Sequence, residues 1–228
     1  MDIASNMAFL EIANIDYSEL YIAVADTLLM LGISIIFSSI IGIALGFVLY
    51  FTNKNHLFAN KYIYFFLSMI INILRSVPFI ILLILMMPIT TVFLGTSMGI
   101  KGVVPTLIVG AFPFVARLIE NSLNNIEDGI IQMSLSYGAS LWQIIWHILL
   151  PEVLPNIITS ITVTLITLVS YTAMAGVVGG GGLGDLAIRY GYQRFQTDVM
   201  IVTVVLLIFL VQIIQLVGDK IANKFKKK

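Results

Sequence analysis

Apolar residues occur along this chain in five long runs separated by short polar segments. A helix needs about 20 apolar residues to cross roughly 30 Å of hydrocarbon, and each run approaches that length. The second run stops at Pro88, and the third is interrupted by Pro105, Gly110 and Pro113. The pattern predicts an all-α integral membrane protein with five transmembrane helices, over residues 27–51, 62–87, 103–119, 157–178 and 199–217.

The composition strengthens this interpretation and excludes several classes of protein. Hydrophobic residues make up 59% of the 228 residues, charged residues make up 11%, and the mean hydropathy is +1.04. Such a chain has too little polar surface for a water-soluble globule. Its net charge of zero argues against electrostatic binding of nucleic acid. The absence of cysteine excludes disulfides and thiolate metal sites. We predict no metal site and no cofactor.

The distribution of basic residues predicts the orientation, because lysine and arginine in short loops stay on the cytoplasmic side. Lys54 and Lys61 flank the first loop, and five lysines lie in the basic tail at 219–228. We therefore expect the C-terminus inside, a transmembrane domain at 27–218, and an extracytoplasmic N-terminal segment at 1–26, which has no lysine or arginine. Two arginines fall on the outer side as exceptions, Arg189 and Arg194.

The segment between the third and fourth predicted spans, at about 127–151, is not simply polar. Leu141, Ile144 and Ile148 recur in its second half at helical spacing. An apolar stretch of about ten residues that ends at Pro151 is too short to cross a membrane. The pattern favours an amphipathic helix that lies on the cytoplasmic side and packs against a partner.

The spacing of Gly138, Ile148, Leu150 and Pro151 in this segment resembles the cytoplasmic coupling loop of ABC importer permeases, where Ile-x-Leu-Pro follows a glycine after nine residues. Ahead of the glycine that family usually has Glu-Ala-Ala, whereas this chain has Gln132 to Ser134. The usual acidic contact with the ATPase is therefore missing or comes from a nearby carboxylate. The resemblance implies a coupling surface made by Gln132, Met133, Ser134, Gly138, Ala139, Ile148, Leu150 and Pro151.

The resemblance covers nearly the whole chain and narrows to the permeases of methionine importers, which have the type I ABC importer fold. It rests on the stretches 74–82, 110–117, 166–176, 180–184 and 190–192. It implies a homodimer in the bacterial cytoplasmic membrane, with two cytoplasmic ATP-binding subunits and an extracytoplasmic substrate-binding lipoprotein. The implied cargo is methionine, as the L-isomer alone or as both isomers.

One face of the fourth predicted span is rich in hydroxyl groups. Residues at steps of four and three share a helical face, so this face either lines a translocation path or packs between helices. The methionine at its outer end is either a gate near a dimer axis or the filler of a core gap. The residues of this face are Ser160, Thr164, Thr167, Tyr171 and Met174.

Two arginines lie within the predicted spans. Arg75 stands near the middle of the second run, where a charge costs roughly 2.5–3.5 kcal/mol, so it should face protein, water or a carboxylate along the path. The alternative is that Pro78 breaks the run and leaves Arg75 at a helix end. Arg117 lies three residues before Glu120, which predicts a local ion pair on one helix.

The chain itself cannot hydrolyse ATP by the usual phosphate-binding loop, because it contains no Gly-x-x-x-x-Gly-Lys-Ser/Thr. We expect a transporter subunit that is not an enzyme and that depends on a separate ATPase subunit for energy.

The glycine run 179–182 predicts either a flexible outer turn that accepts a binding protein or a tight re-entrant turn. Rival functions are a permease for another amino acid or osmolyte, a passive channel or scaffold, and an intramembrane hydrolase, which the positions of His56 and His147 outside the spans disfavour.

Overall fold

The computed structural model describes residues 17–54 and 58–225, and within these ranges the chain is helical with no strand. The first 16 residues of the predicted N-terminal segment, His56 and the last three lysines lie outside the described residues. The helices in chain order are α1 (Tyr17–Thr52), α2 (Lys61–Ser76), α3 (Phe79–Leu94), α4 (Gly99–Asn124), α5 (Asp128–Ser136), α6 (Leu141–Ile144), a π-helix (Ile145–Leu149), α7 (Leu150–Ala175), a 3₁₀ turn (Gly176–Val178), α8 (Gly182–Leu186), a second π-helix (Ala187–Tyr192) and α9 (Thr197–Phe225).

Four stretches are long and apolar enough to cross a membrane: α1, α4, the continuous run from α6 through α7, and α9. The pair α2 and α3 passes the same test together and raises the number of spans to five if the two helices form one span. α1 has 36 residues and begins ten residues before the predicted span, so residues 17–26 are helical rather than a separate segment. An acidic residue in its first turn, Glu19, favours that start by its interaction with the helix dipole.

The second span differs most from its prediction as one straight helix at 62–87. α2 and α3 meet at an angle of 106° around Val77 and Pro78. Proline lacks an N–H donor and pushes the preceding residue out of the helical region, and Val77 has φ −80° and ψ 123°. Pro88, which was expected to end the span, lies inside α3. Prolines within spanning helices are tolerated when neighbouring groups satisfy the freed backbone.

The boundary expected at Pro151 is also absent, because α6, the first π-helix and α7 continue into one another. The backbone N–H of Leu150 bonds the carbonyl oxygen of Ile145, five residues earlier. This wider turn accommodates Pro151, which has no N–H to offer at the start of α7. The amphipathic stretch after Leu141 is therefore an extension of the fourth span and not a separate helix.

α1 packs closely against α4, and two glycines make that approach possible. A methyl group at Gly42 would lie 2.5 Å from Cβ of Val115, and one at Gly46 would lie 2.7 Å from Cβ of Ile119. Glycines four residues apart allow spanning helices to pack backbone against side chain. The seam holds the core together along its length and fixes α4, which carries several residues of the candidate site.

The glycine-rich stretch after α7 forms a tight turn that packs on α1. We call residues 176–196 the glycine turn. Gly179, Gly181 and Gly182 have φ of 74°, 82° and 78°, which side chains rarely adopt. The backbone N–H of Leu183 donates to Oγ1 of Thr27 over 2.8 Å. The stretch is therefore tightly packed on α1, as the tight-turn alternative expects.

Candidate coupling surface and translocation path

In the coupling segment, residues 127–151, a left-handed turn joins the short helix α5 to α6, where the extended fourth span begins. Gly138 provides the turn with φ +78°. A capping box then starts α6: the Ser140 hydroxyl accepts from the Gln143 N–H, and the Gln143 side-chain oxygen accepts from the Ser140 N–H over 2.8 Å. The turn and the cap together fix the angle between α5 and α6.

One side of the coupling segment is anchored in the apolar core. Ile144 and Leu149 are fully buried, and they share a cluster with Tyr50 of α1 and Val153 of α7. Burying such side chains stabilises the contact by roughly 1.5–3 kcal/mol each. The coupling segment is therefore packed directly against α1 and α7.

The other side exposes large apolar side chains to the surroundings. Tyr137 is 86% exposed and Trp142 is 68% exposed, and Met133 and Trp146 are also exposed. The rings of Trp142 and Trp146 lie edge to face with their centroids 5.4 Å apart. Contiguous exposed apolar groups of this kind mark interaction surfaces, and aromatic residues are enriched in the cores of protein interfaces.

The structure divides the eight residues predicted for coupling into two groups. Four are exposed: Gln132, Met133, Gly138 and Pro151. Ser134 is buried and donates its hydroxyl to the Ile130 carbonyl oxygen over 2.7 Å. The remaining three are half-buried and pack against the core cluster: Ala139, Ile148 and Leu150. The motif therefore includes residues that pack the coupling segment against the core as well as residues on its exposed side.

The hydroxyl-rich face of α7 is buried at one end and open at the other. Ser160 and Thr164 are buried, and their hydroxyls donate to the Asn156 and Ser160 carbonyl oxygens over 2.7 Å each. Thr167 is half-buried and donates to the Val163 carbonyl oxygen. Tyr171 is half-buried, whereas Met174 is 37% exposed. The packing alternative therefore describes Ser160 and Thr164, and the outer end of the face is the part that is free to line a path.

A cavity of about 140 Å³ lies where the α2–α3 bend meets α4 and α7. Phe79 and Tyr171 form part of its wall and stack on each other in parallel, with ring centroids 4.1 Å apart. The guanidinium of Arg75 lies 5.9 Å from the centroid of the Phe114 ring. Arg75 belongs to the last turn of α2 and is exposed, in agreement with the alternative that Pro78 ends the helix there.

Residues 38–227 match the family described as the inner membrane component of binding-protein-dependent transport systems. The chain belongs to this family. The match spans α4, the coupling segment, α7 and α9, so it includes each part of the candidate site. The prediction of an ABC importer permease is thereby confirmed.

Full-length relatives of this permease come from several bacteria. It is 48% identical over 199 residues to the probable D-methionine transport system permease protein MetI of Vibrio cholerae, covering 87% of this chain and 88% of the relative. It is 42% identical over 215 residues to the methionine import system permease protein MetP of Bacillus subtilis, covering 94% and 97%.

Solved structures agree with the sequence relatives. A chain of the inward-facing MetNI methionine ABC transporter matches with a TM-score of 0.90 and 44% identity, over 92% of the permease and 97% of that chain. A chain of an amino acid ABC transporter with histidines matches with a TM-score of 0.70 at 16% identity, over 98% and 99% of the two chains, and so shares the fold.

The permease also contains a charged network between α2 and α4. Arg117 and Glu120 form the predicted ion pair, and Glu120 is only 2% exposed. The Arg117 guanidinium also donates to Oγ of Ser68 over 2.7 Å and to Oδ1 of Asn72 over 2.9 Å, and the Tyr64 hydroxyl donates to Glu120. Such buried pairs persist when hydrogen bonds satisfy both partners. The prediction of a local pair is confirmed, and the structure adds three partners from α2.

Sequence reasoning missed the aromatic residues that complete both parts of the site. Tyr137 and Trp142 dominate the exposed side of the coupling segment, and Phe79 and Phe114 line the cavity. Tyr137 and Trp142 could have been found from the sequence, because an aromatic residue among the polar positions of a short amphipathic segment indicates an interaction surface. The cavity residues come from different helices, so no periodicity in the sequence joins them.

Proposed function

We propose that this chain is the permease subunit of an ATP-driven importer that carries methionine across the bacterial cytoplasmic membrane. The observation that carries the proposal is the TM-score of 0.90 at 44% identity, over 92% of the chain, to a chain of the MetNI methionine ABC transporter. The names of the relatives in Vibrio cholerae and Bacillus subtilis point to the same cargo.

The proposed topology has five spans, with the bent pair α2 and α3 as one of them. An odd number of spans places the termini on opposite sides of the membrane. Lys54 and Lys61 then lie on the same side as Lys220 and Lys224, which the distribution of positive charge assigns to the cytoplasm. The N-terminus lies outside in this arrangement, and the coupling segment lies inside.

The proposed path runs between two copies of the permease, along the outer end of the α7 face and past Arg75. Met174 stands at the end of that face with its side chain partly exposed, so two copies across a dimer axis can close the path with soft apolar groups. Tyr171 lies one turn further in and borders the cavity, which opens directly below the proposed gate.

ATP hydrolysis takes place on two separate cytoplasmic subunits in this proposal. Their contact with the permease is the exposed side of the coupling segment around Met133, Tyr137 and Trp142. A binding lipoprotein on the outer side delivers the amino acid. The buried side of the segment carries the motion to α1 and α7 through Ile144 and Leu149.

The test is uptake of labelled methionine into vesicles that contain the permease with its ATPase and binding protein. Uptake should require ATP, and Gly138→Val should reduce it by roughly tenfold or more, because a β-branched residue does not fit a φ of +78°. Gly138→Asn is the matched control, since asparagine tolerates this conformation and should retain most of the uptake.

Two outcomes contradict the proposal in different ways. Import of another amino acid or an osmolyte, with methionine excluded, overturns the cargo and keeps the architecture. Passage of methionine without ATP overturns the coupled mechanism and favours a passive channel.

A further inference from the structure

The two arginines of the spanning region differ in how well their charges are compensated. Arg117 has a carboxylate, a hydroxyl and an amide oxygen as partners. Arg75 forms no ion pair within residues 17–54 and 58–225, and its guanidinium lies 5.9 Å from the centroid of the Phe114 ring. Because Arg75 is exposed at the end of α2, its guanidinium is accessible to a small anion.

The cavity beside Arg75 has the size and the lining for a small organic anion. Its volume of about 140 Å³ is roughly ten times the space that one water molecule needs. None of its lining residues is acidic, so Arg75 supplies the net charge of the site. The rest of the lining is aromatic or aliphatic apart from the hydroxyl of Tyr171.

The aromatic rings suit a thioether or an aliphatic side chain of matching length. A thioether sulfur makes a favourable contact with the edge of an aromatic ring at about 5 Å. The stacked pair of Phe79 and Tyr171 and the separate ring of Phe114 provide such faces around the cavity. Methionine bound in this way would place its carboxylate at the Arg75 guanidinium and its thioether against the aromatic rings.

Gly110 shapes the cavity by lacking a side chain. A methyl group at this position would lie 3.3 Å from Cδ2 of Phe79 and 3.5 Å from Cε2 of Tyr171. A larger side chain would therefore occupy the space beside the stacked rings. A substitution at Gly110 can therefore fill the cavity without removing the charge of Arg75.

We infer that each permease subunit holds the amino acid in this cavity during passage, with the substrate carboxylate on Arg75 and its side chain against Phe79, Tyr171 and Phe114. This inference rests on the proposed function and extends it from a path to a selective site. The site suits a carboxylate that carries an apolar side chain. It lies one helical turn inside the proposed Met174 gate, so closure of the gate would enclose the bound substrate.

The experiment uses a methionine analogue with a diazirine on its side chain and the full complex in lipid nanodiscs. After illumination, mass spectrometry identifies the labelled permease peptides. We expect labelling in the peptides that contain Phe79, Phe114 or Tyr171, and excess methionine should suppress it. Arg75→Gln should reduce it by roughly tenfold, the loss expected when a charged hydrogen bond of about 1.5 kcal/mol is removed. Arg75→Lys should reduce it less.

Three controls separate recognition from structural damage. Lys101→Gln removes an exposed charge from the first turn of α4 and should leave labelling unchanged. Gly110→Val should abolish labelling although Arg75 remains. Methioninol, which lacks the carboxylate, should compete poorly in the native complex and equally poorly in Arg75→Gln. Labelling of other segments, labelling insensitive to Arg75→Gln, or methioninol competing as well as methionine would each overturn the inference.

ATP-dependent uptake of methionine, measured in parallel, distinguishes this inference from the proposed function. Intact uptake in the native complex together with no cavity labelling refutes the site and keeps the function. Absence of methionine uptake in the native complex, with import of another compound, refutes the function itself.

Discussion

The glycine turn and the coupling segment both connect long helices, and both depend on glycine in the left-handed region, but their surroundings are opposite. A methyl group at Gly182 would lie 2.6 Å from Oγ1 of Thr27, whereas one at Gly138 would have no atom within 4 Å. The glycine turn packs against α1 of the same subunit. The coupling segment has open space around its turn and exposes Tyr137 and Trp142.

This difference shows which connection is complete within one subunit and which depends on a partner. A segment with packed glycines and internal hydrogen bonds stabilises the subunit itself. Open glycines and exposed aromatic side chains add little to that stability, and they suit the exposed side of the coupling segment to binding. Substitutions in the two regions should therefore affect different measurements.

The largest effect is expected for Gly184→Leu in the glycine turn. A Cβ at Gly184 would lie 2.5 Å from the Ala173 carbonyl oxygen, and backbone atoms cannot move aside as a flexible side chain can. Overpacking typically costs 1–3 kcal/mol, and we expect about 3 kcal/mol or more here. The loss should appear as a lower melting temperature and a smaller monodisperse fraction of the purified permease.

Gly32→Leu is the matched control for this substitution. Gly32 lies in α1 with no atom within 4 Å of its Cβ position, so leucine should be tolerated there. Equal melting temperatures for the two variants would show that the glycine turn is not tightly packed.

The second prediction concerns the coupling segment, where a substitution should affect binding of the ATPase and not the stability of the permease. Trp142→Ser should leave the melting temperature of the isolated permease nearly unchanged, because the side chain is 68% exposed. It should weaken binding of the ATPase by about 2 kcal/mol, or roughly 30-fold, as expected for a buried aromatic residue at an interface. Affinity is measured by titrating the ATPase onto the permease in nanodiscs.

Phe195→Ser provides the comparison, since Phe195 is 87% exposed but belongs to the glycine turn. It should not change the affinity for the ATPase. If both substitutions weaken binding equally, the exposed aromatic surface of the coupling segment is not the specific contact.

Much of this architecture could be predicted from the sequence because apolar run length and glycine chemistry act locally. The first, third and fifth predicted spans lie within longer helices, and the fourth overlaps α7 up to Ala175 and ends in the 3₁₀ turn Gly176–Val178. Gly138 stands at the expected turn, and Arg117 pairs with Glu120 as their spacing on one helix predicts. These features depend on residues that are close in the chain.

The errors occur where proline has two structural solutions. Pro78 breaks a run into two helices at 106°, whereas Pro88 and Pro151 lie within helical stretches. Whether a proline breaks the helix depends on whether packing or a wider π-turn accommodates its missing N–H. No local sequence pattern specifies this. The cavity escaped prediction for a related reason, since Phe79 meets Tyr171 across 92 residues of sequence through the bend at Pro78.

A third, smaller effect is expected for Thr27→Val, which tests the hydrogen bond between α1 and the glycine turn. Thr27 is 1% exposed, and its hydroxyl accepts the Leu183 N–H while donating to the Ala23 carbonyl oxygen. Valine has a similar shape but leaves a buried N–H unsatisfied, which costs about 1–3 kcal/mol. The melting temperature of the purified permease measures this loss.

Thr91→Val removes a comparable hydroxyl at an exposed position of α3, where it donates to the Met87 carbonyl oxygen over 2.8 Å. This variant should melt close to the native permease. A loss of stability as large as that of Thr27→Val would mean that the contact with the glycine turn contributes nothing specific.

The smallest effect is expected for Tyr190→Phe, and its pH dependence identifies it. The Tyr190 hydroxyl donates to Glu19 over 2.7 Å, and this hydrogen bond, with burial and the Glu19 charge, raises the pKa of Tyr190 above 10.0. The native protein should therefore melt slightly above the variant below pH 10, and the gap should close as the pH rises through the raised pKa, because ionised Tyr190 cannot donate. Tyr192→Phe, at a neighbouring residue that is 71% exposed, should show no such gap. A gap that persists unchanged above the raised pKa would assign the difference to packing of the ring, and the glycine turn would then be held to α1 without this charge-assisted bond.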